Sequence, residues 1–248
     1  MIIGSCWNIL DKLKMKRNIE AVIFDMDGTA LTQIKGEEAL HCEPSAWIDV
    51  WRYLFYIAGL TKEIRDLTAQ YQDQVTNSMT PAGHQEFFQQ SCELLRGREA
   101  APVLAAFQIL PYTSGFLQFC DYLRGQSIKM GMVTLSLDAI AQQIKQEAGL
   151  EYAVGNEIHT DEHGLFTGTG KIKVPFGGKG KAVEHAYASL GTSGETTCFF
   201  GDSGNDVDCW KAVGLPLGMN IDAPYVHLVW EKFTDFHQAK EYFERENF

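Results

Sequence analysis

Short, continuous apolar runs recur along much of this sequence, separated by amphipathic stretches. "EAVIFD" (residues 20–25) is the first, with Ala21, Val22, Ile23 and Phe24 unbroken by a polar residue. That composition predicts a strand buried on both faces. "IKMGMVT" (128–134), "TTCFFGD" (196–202) and "LPLGM" (215–219) repeat it. The intervening segments have helical spacing: residues 114–124, "LDAIAQQIKQEAGL" closed by Gly149, "GKAVEHAYASLG", and "SGNDVDCWKAVG". "NEIHTDEHGLFTGTG" reads as a hairpin around His163 and Gly164. Strand and helix alternating at this spacing predict an α/β protein, a Rossmann-like parallel sheet core with helices on both faces.

A different pattern interrupts that alternation after the first strand. "PSAWIDVWRYLFYIAGL" begins at Pro44 and spaces Trp47, Trp51, Leu54 and Phe55 as a helix would. "TKEIRDLTAQYQDQV" follows, with Thr61 as a candidate N-cap. "PAGHQEFFQQSCELLRG" from Pro81 and "REAAPVLAAF" complete a group of about four helices. The expected division is a core of residues 1–33 and 109–248, with an all-helical cap, residues 34–108, inserted between them. Trp47, Trp51 and Phe55 are expected to be bundle core.

Composition narrows the partners. Lys and Arg number 21 against 32 Asp and Glu, a formal charge of −11 in 248 residues. That balance argues against nucleic acid, which is bound through its phosphate backbone. No apolar run is long enough to span a bilayer, so no membrane partner is expected. Residues 1–14 lack the order of a secretory signal. Met15 precedes "KRNIEAVIFD", a natural beginning, so residues 1–14 are expected to be dispensable or an artefact of start-site choice. Six cysteines, none in C-x-x-C spacing, predict reduced thiols in a cytoplasmic protein. His41 and His84 fall in the helical insertion, where solvated or core histidine is expected.

The candidate chemistry lies where strands end. Asp25 and Asp27 follow the first strand, with Gly28 and Thr29 next. Asp202 and Asp206 follow "TTCFFG" in the same way. In an open parallel sheet, ligands bind beyond the carboxyl ends of the strands. Carboxylates converging there repel one another and call for a cation, and hard oxygen ligands suit Mg²⁺. An EF-hand fails: Val207 and Val213 stand at the sixth and twelfth positions from Asp202. Thr134 ends the second strand, and Lys179 opens a helix after a Gly-rich turn that lacks the Walker spacing.

"DMDGT", a Thr at a strand end, a Lys opening a helix and "GDSGND" occur in that order. This arrangement resembles the haloacid dehalogenase superfamily of phosphohydrolases. The family's D-x-D-x-T matches Asp25, Asp27 and Thr29, its Ser/Thr matches Thr134, its Lys matches Lys179, and its G-D-x-x-x-D matches Gly201, Asp202 and Asp206. The likeness covers residues 20 to about 220. The hairpin before the Lys resembles the branch that includes phosphoserine phosphatases. The resemblance implies an Asp25 nucleophile that becomes an aspartyl phosphate, and Asp27 as general acid and then base. It implies Mg²⁺ held by Asp25, the Asp27 carbonyl and Asp202, with Asp206 acting through water or on its neighbours. Thr134 and Lys179 would bind the phosphoryl oxygens of a small phosphorylated metabolite. A phosphomutase, or a metal-binding relic without turnover, would share these residues. In phosphoserine phosphatases a cap Glu and a cap Arg hold the amino acid. Here Glu37, Glu38 and Glu43 stand later than the family's Glu, and Arg52, Arg65, Arg96 and Arg98 match no family context. The expected substrate is therefore a small phosphomonoester other than phosphoserine. The sequence does not specify an oligomeric state.

Overall fold

The computed structural model describes residues 18–33, 49–71 and 80–248. The expectations placed on residues 1–14, Glu37, Glu38, His41, Glu43, Pro44 and Trp47 lie outside the described residues.

Among the described residues, seven strands form one sheet. They are β1 (Ala21–Phe24), β2 (Lys129–Leu137), β3 (Tyr152–Thr160), β4 (Phe166–Lys171), β5 (Thr197–Gly201), β6 (Leu215–Met219) and β7 (Glu231–Phe233). Their spatial order is β4-β3-β2-β1-β5-β6-β7. Every neighbouring pair is parallel except β3 with β4, the expected hairpin. The chain runs outward from β1 in one direction and then resumes beside it as β5. The strand order therefore reverses at β1, and a crevice opens beyond the carboxyl ends of β1 and β5.

β1 is wholly buried because alternate residues serve two cores. Val22 and Phe24 face one layer with Phe200, Phe116, Phe119, Phe236 and Phe243. Ala21 and Ile23 face the other with Val183, Ala186, Cys209 and Trp210. The first layer is aromatic: the Phe24 ring lies 5.6 Å from Phe200 in a stack and 5.3 Å from Phe116 edge-on.

Among the described residues the α-helices are α1 (Val50–Ile57), α2 (Thr61–Tyr71), α3 (Pro81–Leu95), α4 (Ala100–Ala105), α5 (Phe116–Gly125), α6 (Asp138–Ala148), α7 (Lys179–Ser189), α8 (Val207–Lys211) and α9 (Phe236–Glu246). Gly149 ends α6 with φ 66°, as its place after the apolar pattern suggested. Thr61 is the first residue of α2 rather than its N-cap. Thr80 caps α3 by accepting from Gly83 N at 3.0 Å. Trp51 and Phe55 stack at 6.0 Å, and Phe55 is fully buried, so these members of the aromatic stripe are core. β7 and α9 were not anticipated, although "DFHQAKEYFERE" carries an Asp235 cap and apolar residues at helical spacing.

α1–α4 lie between β1 and β2 in the chain. The segments leading out and back run side by side: Thr32 N donates to Pro111 O and Thr113 N to Ala30 O, both at 2.9 Å. The returning end is tied to the β3–β4 hairpin. Gly97 N donates to Phe166 O at 2.8 Å, Phe166 N to Arg98 O at 2.9 Å, and Ala100 N to Gly164 O at 2.9 Å.

Candidate active site

Asp25 follows β1 directly, and its amide donates to Phe200 O of β5 at 2.9 Å. The neighbouring strand thus fixes where the carboxylate projects. Asp202 follows β5, and Asp206 closes the one-turn 3-10 helix Gly204–Asp206. All three acids are buried, and one oxygen from each lies within 4.8 Å of the others. Asp206 Oδ2 accepts from Asp202 N at 2.9 Å and Ser203 N at 3.2 Å, which pins the turn.

Lys179, the first residue of α7, reaches the same place. Its Nζ donates to Asp25 Oδ1 at 2.5 Å and Asp206 Oδ1 at 2.6 Å, and the side chain is 3% exposed. Burial opposes its charge, but the Asp206 and Asp25 carboxylates outweigh that and hold the ammonium well above the usual lysine range. Asp25 is pushed the other way. Burial raises its pKa to about 6 against the pull of Lys179, and repulsion from Asp206 adds to the rise. One ammonium serves several carboxylates, so Lys179 stays charged and the cluster carries surplus negative charge.

That surplus, the three hard oxygen donors and their spacing fit a small divalent cation such as Mg²⁺. Gly28 makes the convergence possible. Its φ of 81° is the left-handed region, and a Cβ there would lie 2.2 Å from Asp202 Oδ2. The Asp27 side chain is not part of the acid cluster, so only its backbone carbonyl is left for the expected metal contact.

Asp27 has different surroundings. Its Oδ1 accepts from Val50 N, at the start of α1, at 3.0 Å. Asp49 caps that helix by accepting from Arg52 N at 2.8 Å. Burial, and then the nearby Asp49 carboxylate, raise the Asp27 pKa to about 7; the Val50 amide partly opposes them. Burial likewise raises Asp49, against Arg52.

Thr134 is buried, but β2 continues three residues beyond it to Leu137. Its place at the strand end is corrected accordingly: β2 shifts register against β3 between Val133 and Leu137, and this carries the chain on. Thr134 does not cap α6, because the N-cap position is Leu137 and no side chain caps there. Instead Thr134 Oγ1 accepts from Ser136 N at 3.0 Å. Its own proton is left to donate. The buried hydroxyls of Thr29 and Ser136 have no hydrogen-bond partner. An unpaired buried hydroxyl costs about 1–3 kcal/mol, so such groups mark where a ligand or water belongs.

The structure therefore brings Asp25, Lys179, Asp202 and Asp206 into one cluster, with Asp27 beside Asp25. Sequence reasoning missed Asp49, the Val50 amide and Ser136. The alternation Thr134–Leu135–Ser136 was the available signal for Ser136, since residues two apart in a strand share a face. Asp49 offered only a cap-type residue inside a stretch read as already helical.

In the insertion, Arg52 pairs with Asp49 at 3.5 Å, Arg96 bonds Glu93, and Arg98 donates to Ala58 O at 2.9 Å. Arg65 is exposed on α2. His84 is half-buried, with its pKa lowered by burial, and stacks on Phe176 at 5.6 Å. Among the described residues, no helix is long and apolar enough to cross a membrane.

Comparison with known proteins agrees with this geometry. The haloacid dehalogenase-like hydrolase family model matches residues 19–214, and the chain belongs to that family. Among curated relatives, a phosphoserine phosphatase of Archaeoglobus fulgidus is 25% identical over 207 residues, 82% of this chain and 53% of its own length. Phosphoserine phosphatases of Saccharomyces cerevisiae and Methanocaldococcus jannaschii are each 22% identical. These matches cover 80% and 82% of this chain, and 58% and 86% of the relatives. The chain thus spans little more than half of the first two. A solved phosphoserine phosphatase with a phospho-aspartyl intermediate analogue superposes with TM-score 0.70 at 19% identity, over 91% of this chain and 99% of that one. A haloacid dehalogenase family hydrolase of Salmonella enterica superposes at 0.71 with 17% identity, over 88% and 68%. These superpositions establish the fold.

Proposed function

We propose that this protein is a Mg²⁺-dependent phosphatase of small organic phosphomonoesters that works through an aspartyl phosphate on Asp25. The observation that carries the reading is the unequal treatment of two acids two residues apart. Asp25 is bonded to the Lys179 ammonium in a buried cluster, while Asp27 has no such partner among the described residues and accepts from the Val50 amide. Carboxylates whose environments differ in this way divide nucleophile from acid–base work.

With Lys179 on Asp25 Oδ1, Asp25 Oδ2 attacks phosphorus, and the bond to the leaving oxygen breaks as Asp27 gives that oxygen its proton. Asp27 then takes a proton from the water that attacks the phosphoaspartate, returning Asp25 and releasing phosphate. Such acid–base help is typically worth ~10²–10⁴-fold. Lys179 and the free proton of Thr134 face the charge that gathers on the phosphoryl oxygens. Asp25, the Asp27 carbonyl and Asp202 would hold Mg²⁺, with Asp206 acting through water or on its neighbours, and the ion would supply the positive charge that lets an anion approach these acids. Residues 34–108 act as a cap over the crevice and residues 109–248 complete the core, in a cytoplasmic enzyme.

Three of the insertion's four described arginines are engaged with groups of this chain, which favours a substrate other than phosphoserine. The names of the curated relatives favour phosphoserine itself. Phosphate release with Mg²⁺ and with excess chelator tests the reading, and comparing kcat/KM across phosphoserine, sugar phosphates, phosphocholine and nucleotide monophosphates ranks the substrates. Activity that survives chelator overturns the metal role. After acid quenching with labelled substrate, label on any residue but Asp25 overturns the mechanism.

A further inference from the structure

Ser136 is 3% exposed, and its hydroxyl has no hydrogen-bond partner. A role at the start of α6 is excluded, because α6 begins at Asp138 and its cap position is Leu137. The Ser136 amide is already used, donating to Thr134 Oγ1 at 3.0 Å. The Ser136 hydroxyl stands beside the Asp27 carboxylate and makes no hydrogen bond to it or to any other described residue. Thr134 and Ser136 are two apart in β2, both buried, with the half-buried Leu135 between them. A buried donor left open beside a carboxylate is a place for a third oxygen.

We propose that Ser136 is a catalytic residue whose hydroxyl binds the oxygen that Asp27 handles: the leaving-group oxygen in the first step and the attacking water in the second. Asp27 provides the proton that the leaving oxygen takes as the P–O bond breaks. Ser136 keeps its own proton and only donates a hydrogen bond to that oxygen. In the second step Asp27 removes the water's proton while Ser136 holds the water in place. Thr134 by contrast serves the phosphoryl oxygens that stay with phosphorus. This assignment rests on the phosphatase reading above.

The test uses the full chain with Mg²⁺, comparing the parent with Ser136→Ala by thermal shift against two probes. Orthovanadate places an oxygen at the leaving position, whereas beryllofluoride mimics the phosphoryl group on Asp25 without one. The expected result is an orthovanadate dissociation constant about tenfold higher in the variant, roughly 1.4 kcal/mol, with beryllofluoride binding unchanged. Without ligand the variant melts no lower than the parent, because the lost hydroxyl had no partner. In turnover, kcat/KM falls further for alkyl phosphates, which need help at the leaving oxygen, than for 4-nitrophenyl phosphate. Equal change for both probes, no change for either, or a variant that melts markedly lower would overturn the assignment while leaving the phosphatase reading intact. A parent that binds neither probe would overturn both.

Discussion

Asp25 and Asp27 stand two residues apart, yet their partners come from different halves of the molecule. Around Asp25 the partners belong to the sheet and its flanking helices: the amide bond to β5, the Lys179 ammonium from α7, and Asp206 across it. Around Asp27 the partners come largely from the insertion: the Val50 amide and the Asp49 carboxylate at the start of α1. The floor of the site is an ion cluster in which one ammonium is shared by two carboxylates. The roof is a single helix end holding a carboxylate that has no cation beside it among the described residues. Two acids two residues apart are thus held by two different parts of the chain.

The floor should be the more fragile when broken. Removing one member of a buried ion pair strands the others, at about 3–5 kcal/mol. Lys179→Met in the metal-free protein should therefore lower the free energy of unfolding in urea by that order and abolish turnover. An unfolding free energy within about 1 kcal/mol of the parent would show that Asp25 and Asp206 are not ionised together, and the comparison would lose its physical basis.

Gly28→Ala should give the next largest effect. A Cβ at φ 81° costs about 1–2 kcal/mol in strain, and it would stand 2.2 Å from Asp202 Oδ2. Asp202 must move, so the Mg²⁺ concentration for half-maximal activity should rise by about an order of magnitude, the equivalent of ~1.4 kcal/mol. An unchanged Mg²⁺ titration would remove Asp202 from the metal contact.

The roof should respond mildly, and through catalysis more than stability. Asp49→Ala loses the α1 cap, about 1 kcal/mol, and with it the anchoring of the Val50 amide on Asp27. kcat should fall several-fold with KM nearly unchanged, and Asp49→Asn, which still caps, should recover most of it. Equal losses in both variants would mean that the Asp49 charge, rather than the helix end, is what Asp27 needs.

The two halves also differed in how far the sequence disclosed them. The floor was legible because its physics is local to strand ends. An apolar run stopping at Asp25 or Asp202 must place that acid at the sheet's carboxyl edge, and Lys179 was placed there by the order of motifs shared with the haloacid dehalogenase superfamily. The roof depends on where a helix starts after a long insertion. Apolar spacing could not separate Pro44 from Asp49 as that start, and nothing in residues 20–32 announces that Asp27 meets a backbone amide more than twenty positions away. Ser136 was hidden for another reason: an apolar strand was read as ending at its first hydroxyl, whereas β2 runs on through a register shift.

The remaining contrast concerns pH. In the metal-free fold, burial and Asp49 raise the Asp27 pKa from 3.8 to about 7. Below the unfolded value both states hold the proton and the site exacts nothing. Between about 4 and 7 the unfolded chain releases its proton while the fold retains it, so stability drains away as pH rises; above 7 the loss is complete and constant. Asp27→Asn keeps an oxygen for the Val50 amide and removes the titration, so it should raise the melting temperature most above pH 7 and scarcely at pH 4. Asp25→Asn is the contrasting case. Its own pKa is raised to about 6, which alone would give the same sign, but the substitution leaves the buried Lys179 with one fewer carboxylate. The Asp25 variant should therefore gain less than the Asp27 variant at pH 8, or lose stability outright. Parallel melting curves across pH 4–9 for the two variants would mean that the ammonium does not distinguish the two acids, and that they share one environment.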